Sequence, residues 1–168
     1  ELKSIFQNNV TEGITLRYIS GNPLTGTKID ENGVLRAYHS QVTVIPEGIE
    51  TIEPLGWASL SPNRYSASCT YPQFLKNPQK KYRLDARIKG GQRAIIMSNE
   101  YDKVFPMDIF PEQLVKATIA FNIEKMENLG IYEIAPEDFA LCEFVDTSKL
   151  ELQKIIRTGL DMLRKEME

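Results

Sequence analysis

The side chains that could carry chemistry occur in the order arginine, histidine, paired serines and paired acids. Arg17 sits in the otherwise apolar stretch Ile14-Thr15-Leu16-Arg17-Tyr18-Ile19. On strict strand alternation it shares a face with Thr15 and Ile19. Its guanidinium must therefore reach water, a carboxylate or an anionic ligand, because an unpaired buried charge is costly. Extending the head group to a sheet edge is the ordinary structural answer. His39 is the only histidine, so any chemistry that needs imidazole must use it. A strand through Gly56-Trp57-Ala58-Ser59-Leu60-Ser61 would end in hydroxyl groups and present Ser59 and Ser61 at the mouth of a pocket. Taken alone, Ser-x-Ser is common and Pro62 is an ordinary helix start. In Glu100-Tyr101-Asp102 the two carboxylates stand at i and i+2. On an extended segment both point to one side, about 7 Å apart at Cα. One could then stabilise a developing cation while the other accepts a proton; a polar loop is the plain alternative. There is no Gly-x-Ser-x-Gly elbow to support serine hydrolysis and no Gly-x-Gly-x-x-Gly fingerprint of a dinucleotide-binding Rossmann unit.

The elements that must position these groups are short. Ile14 to Ser20 reads as a strand before the turn residues Gly21-Asn22-Pro23. Val34 to Tyr38 and Val42 to Ile45 are apolar runs rich in β-branched or aromatic residues. Tyr82 to Lys89 alternates, Gly90-Gly91 turns into Ala94-Ile95-Ile96-Met97, and Thr118 to Ile123 is a further strand candidate. A short helix is expected over Pro111 to Lys116, with Pro111 where a missing N–H costs nothing. The clearest helix is C-terminal, beginning after Thr147 or Ser148, with Glu151 placed to complete a capping box on Ser148. Leu152, Ile155, Ile156, Leu160, Leu163 and Met167 fall near one face of it. The expectation is one β-rich α+β domain over residues 1–168, with residues 145–168 packed on the body as a helix.

Composition narrows the function. The 168 residues are 42% hydrophobic and 26% charged, ordinary for a globular protein long enough to bury a core. No apolar stretch approaches the roughly 18 residues that span a bilayer. Glu1 to Val10 lack a basic-then-apolar leader pattern, and an opening glutamate fits a chain trimmed of its leader. The net charge is −3 and Lys and Arg are scattered, which disfavours nucleic acid as a partner. The small cluster Lys76, Lys80, Lys81, Arg83 reads as a solvated loop. Cys69, Cys142 and His39 are too few for a zinc site; the cysteines would pair in an oxidising compartment or pack as small core residues in a reducing one.

The order of the motifs resembles the cholera/pertussis-like group of mono-ADP-ribosyltransferase toxins. Leu16-Arg17-Tyr18-Ile19-Ser20 is similar to the group's first strand and Tyr38-His39 to its histidine. Gly56-Trp57-Ala58-Ser59-Leu60-Ser61 is similar to its Gly-aromatic-x-Ser-Thr-Ser element, and Glu100-Tyr101-Asp102 to its Glu-x-Glu. Ile109 to Leu114 is similar to the stretch that follows, so the resemblance spans about Leu16 to Ile119. Leu60 replaces the central threonine, and Asp102 stands where the group has its catalytic glutamate. A shifted register makes Glu100 that acid; the spacing to Ile109 favours Asp102.

The resemblance implies a split-sheet ADP-ribosyltransferase-like fold and NAD as substrate, with no metal. In it Arg17 holds the NAD phosphates or ribose, and Ser59 and Ser61 line the NAD site, with Ser59 bracing the acid. His39 positions the nicotinamide-side ribose, and Asp102 or Glu100 stabilises an oxocarbenium-like transition state. It further implies a secreted or injected toxin or effector, a transferase or NAD glycohydrolase acting on a protein acceptor, accompanied by a delivery protein or an immunity partner. Two other readings stand beside it. One is a catalytically decayed binding domain, which the Leu60 and Asp102 departures fit. The other is a nuclease-type toxin using His39.

Overall fold

The computed structural model describes residues 13–49, 65, 79, 81–82, 84–88 and 91–168. The chain divides into two compact units, Glu1–Lys89 and Gly90–Glu168.

The first unit holds a three-stranded antiparallel sheet in the order β2-β1-β3. Its strands are β1 (Leu16–Ser20), β2 (Thr27–Ile29) and β3 (Val42–Pro46). Central β1 pairs Tyr18 with Ile29 on one side and with Val44 on the other. The β1–β2 turn is set by Asn22, whose Oδ1 accepts the N–H groups of Leu24 and Thr25, both at 2.8 Å. Such side-chain capture of backbone donors is why asparagine favours turns. Gly26 closes the turn by donating to Asn22 O at 2.9 Å. A Cβ there would lie 2.3 Å from that oxygen and 2.5 Å from Ile19 Cγ2, so only glycine fits.

Two expected strands of this unit do not form. Val34 to Tyr38 is a loop, because its backbone groups are taken locally: Arg36 N–H donates to Ser20 Oγ at 3.1 Å and His39 N–H to Arg36 O at 3.0 Å. Among the described residues of Tyr82 to Lys89 there is likewise no strand; Asp85 turns back to accept Arg87 N–H at 3.2 Å. Arg83 and Lys89 lie outside the described residues.

The second unit is helical. It comprises α1 (Pro111–Ile119), α2 (Ile123–Asn128), α3 (Ala140–Val145) and α4 (Leu152–Met167), with 3-10 turns at Tyr101–Lys103, Ile131–Glu133 and Pro136–Phe139. Pro111 opens α1, as its sequence predicts. Leu114, Val115 and Thr118 then recur at helical spacing on the buried face. The strand expected at Thr118 to Ile123 is instead the end of α1 and a turn. Thr118 Oγ1 donates to Leu114 O at 2.8 Å, and Asn122 N–H reaches Ala117 O at 3.0 Å. Asn122 then caps α2 by accepting Lys125 N–H at 3.0 Å. Packing of α1 overrides the β-propensity of this run. Ala94 to Met97 is likewise not a strand but an irregular strap, tied down where Arg93 N–H donates to Ser148 O at 2.8 Å.

The core joins Leu114, Val115, Met126, Ile131, Phe139, Leu152, Ile156 and Leu163, all 2% exposed or less. Phe105 and Phe139 meet at a centroid distance of 4.7 Å, within the range where aromatic pairs attract. The C-terminal helix exists but is not capped as its sequence suggests. Ser148 Oγ donates to Ala94 O at 3.3 Å instead. The first turn of α4 is bound from α3, where Glu143 Oε2 accepts Gln153 N–H at 3.0 Å.

Candidate functional site

In the first unit Arg17 on β1 faces Glu47, just past β3. Nε donates to Oε2 at 2.8 Å and Nη2 to Oε1 at 2.5 Å, a two-point fork; Lys28 Nζ lies 3.7 Å from the same carboxylate. The hydrogen bond from Arg17 holds the Glu47 carboxyl below its usual range and raises the guanidinium in turn. The anionic partner that Arg17 required is thus a protein side chain.

Ser20, three residues along β1, falls on the opposite face by strand alternation. It is fully buried, and its Oγ lies 2.7 Å from His39 Nδ1 while accepting the N–H of Arg36. Gly21, at φ +99°, lies against the ring: a Cβ there would sit 3.3 Å from Nδ1. Arg17 and His39 therefore engage different faces of one strand, each with its own partner.

In the second unit Glu100-Tyr101-Asp102 is not extended. It enters the 3-10 turn Tyr101–Lys103, which buries Tyr101 to 2% exposure, leaves Asp102 exposed and half-buries Glu100. The strand geometry that would align the two acids is absent. The turn exists because Phe105 N–H and Val104 N–H both close onto Tyr101 O, at 2.8 and 3.0 Å. Ser59 and Ser61 lie outside the described residues, as does Cys69.

The buried polar groups of the helical unit leave no signal in local sequence patterns. Glu112, 1% exposed, accepts Ser98 N–H and Oγ–H on Oε1, both at 3.2 Å, while its Oε2 has no partner. Asp146, 2% exposed, accepts Ser148 N–H at 2.9 Å and Leu150 N–H at 2.8 Å. The Tyr101 hydroxyl faces the Asp146 carboxylate but completes no hydrogen bond of ordinary geometry. Burial first, then that carboxylate, pushes its pKa far up. Cys142, a free buried thiol, is pushed up to about 12 by burial and then by the charge of Asp102. An acid in the first turn of a helix is a common surface feature, so the burial of Glu112 has no signal in local sequence. Among the described residues no group of three or more His, Cys, Asp or Glu side chains is placed to hold a metal ion, and no helix is long and apolar enough to cross a membrane.

No protein-family model matches the chain. Its similarity is to curated bacterial proteins, each named as the A-subunit of a Na(+)-translocating NADH-quinone reductase. The protein of Neisseria meningitidis is 36% identical over 152 residues, covering 89% of this chain and 33% of the relative. That of Hahella chejuensis is 34% identical over 152 residues, 90% of this chain and 34% of the relative. That of Rhodopirellula baltica is 32% identical over 166 residues, 98% of this chain and 36% of the relative. The chain thus spans about a third of the length of these relatives.

These relatives overturn the toxin resemblance. Similarity across nearly the whole chain outweighs a few short motifs built from common residues. The reading as a glycosyltransferase that moves ADP-ribose falls with it, because the similar proteins are named for an oxidoreductase. So do the protein acceptor, the delivery or immunity partner and the secreted or injected location, since the similar proteins are named as parts of a multi-chain reductase.

Proposed function

We propose that this chain is a module of the A-subunit of a sodium-translocating NADH-quinone reductase and works inside that assembly. Electrons pass from NADH to a quinone in such an enzyme, and the energy released moves sodium ions across a membrane. The module is a folded part that contacts the rest of its own polypeptide and the other chains of the complex at the membrane. One observation carries the reading: identity of 32–36% over 89–98% of the chain to proteins of that name from different bacteria. Each unit also leaves large side chains open to solvent. Among the described residues Tyr38 is 100% exposed, Val34 77%, Phe110 63% and Ile119 54%.

The test is made on the full-length protein in its own cells. Tagged protein extracted from membranes should co-isolate with an activity that oxidises NADH, reduces added quinone and is stimulated by sodium. Membranes from a strain lacking the gene should lose that sodium-stimulated activity. Unchanged activity in the deletion strain, with no co-isolated reductase, overturns the reading.

A further inference from the structure

His39 is seated with more care than a loop residue needs. Its Nδ1 lies 2.7 Å from Ser20 Oγ, its backbone N–H closes onto Arg36 O at 3.0 Å, and the ring lies against Gly21, where a Cβ would come within 3.3 Å of Nδ1. The bond to Ser20 can run in either direction, and the surroundings of the hydroxyl decide which. Ser20 is 0% exposed, so its hydroxyl proton has no water to meet. Its other partner, Arg36 N–H at 3.1 Å, is itself a donor and so occupies an acceptor position of the oxygen. Among the described residues the one acceptor bonded to the hydroxyl is His39 Nδ1. Were Nδ1 to carry a hydrogen, the Ser20 proton would be a buried donor without a partner, which folded proteins avoid.

We infer that Ser20 fixes neutral His39 as the Nε2–H tautomer, so that this loop presents one directed hydrogen-bond donor at the protein surface. Nε2 has no partner among the described residues, and His39 is partly exposed in a loop whose Tyr38 and Val34 are 100% and 77% exposed. Ser20 and Gly21 act as positioning residues. The inference does not depend on membership in a reductase, because the arrangement lies wholly within the first unit.

Nitrogen-15 NMR of the imidazole in the full chain, at a pH where His39 is neutral, reads the tautomer directly, since the chain has one histidine. The expected spectrum shows Nδ1 as a pyridine-type and Nε2 as a pyrrole-type nitrogen. Ser20→Ala should move both signals toward the mixture of tautomers shown by a free histidine peptide. A pyrrole-type Nδ1 in the unmodified chain overturns the inference at once, whatever the variant does. So does a spectrum of folded Ser20→Ala identical to the parent, which would mean that something other than Ser20 sets the tautomer.

Discussion

Gly159 of α4 meets Thr118 of α1 so closely that a Cβ on the glycine would lie 2.5 Å from Thr118 Cγ2 and 3.3 Å from Met126 Cε. Two effects then compete in Gly159→Ala. Helix propensity favours alanine by roughly 1 kcal/mol. Forcing a methyl into a filled contact costs about 1–3 kcal/mol. We expect the contact to win and thermal unfolding of the full chain to shift down by several degrees. Thr118→Ser, which removes the opposing methyl, should restore most of the loss in the double variant. A Gly159→Ala chain more stable than the parent would show that the helices can part at no cost.

Asp146 holds two backbone N–H groups in the link between α3 and α4. Asp146→Ala leaves both without acceptors in a nearly closed site. At about 1–3 kcal/mol for each orphaned donor, the loss should amount to at least about 2 kcal/mol. Asp146→Asn keeps one acceptor oxygen and should cost about half as much. Chemical denaturation of the three proteins, read by far-ultraviolet circular dichroism, checks the order.

Alkaline stability should depend on Cys142. Burial raises its folded pKa to about 12, whereas an unfolded thiol titrates near 8.5. The stability that follows from keeping the thiol neutral is complete below about pH 8.5 and drains away as pH rises from there to about 12. In Cys142→Ala the decline between about pH 8.5 and 11 should be shallower. Melting temperatures between pH 7 and 11 measure the difference. Coincident curves for the two proteins would remove the thiol from the account.

At the acid end the pair Arg17–Glu47 governs. Its fork depresses the Glu47 carboxyl, so the stabilisation is present above the unfolded glutamate value of about 4.3 and is lost as pH falls below it. Glu47→Gln should be less stable at neutral pH and should show a flatter decline below pH 5. Partial exposure of both side chains, 31% for Arg17 and 17% for Glu47, keeps the effect modest and makes it shrink in salt.

Local sequence revealed the elements whose signal is local. β1 and β3 follow from runs of β-branched and aromatic residues, and α1 and α4 from proline placement and helical periodicity. The run Thr118 to Ile123 has β-type residues whose fate is decided by Leu114 and Ala117, one turn earlier. The candidate groups were visible one by one, but not their partners. Arg17 finds Glu47 thirty residues on, and Ser20 finds His39 nineteen residues on. No spacing rule links such pairs, because the β1–β3 register brings the first together and the loop between β2 and β3 the second. The acids of Glu100-Tyr101-Asp102 were visible too, yet their presumed alignment assumed an extended backbone that Tyr101, drawn into the core, does not permit.

The last helix takes its starting hydrogen bond from Glu143, on a different helix, rather than from its own flanking residues. A peptide copied from Leu152 onward would therefore lack its own start signal and should be largely unstructured in water. In the intact unit, α4 has a reason to begin at Leu152 only after α3 is in place. The two helices should consequently form and melt in one cooperative step, and damage to either should be felt by both.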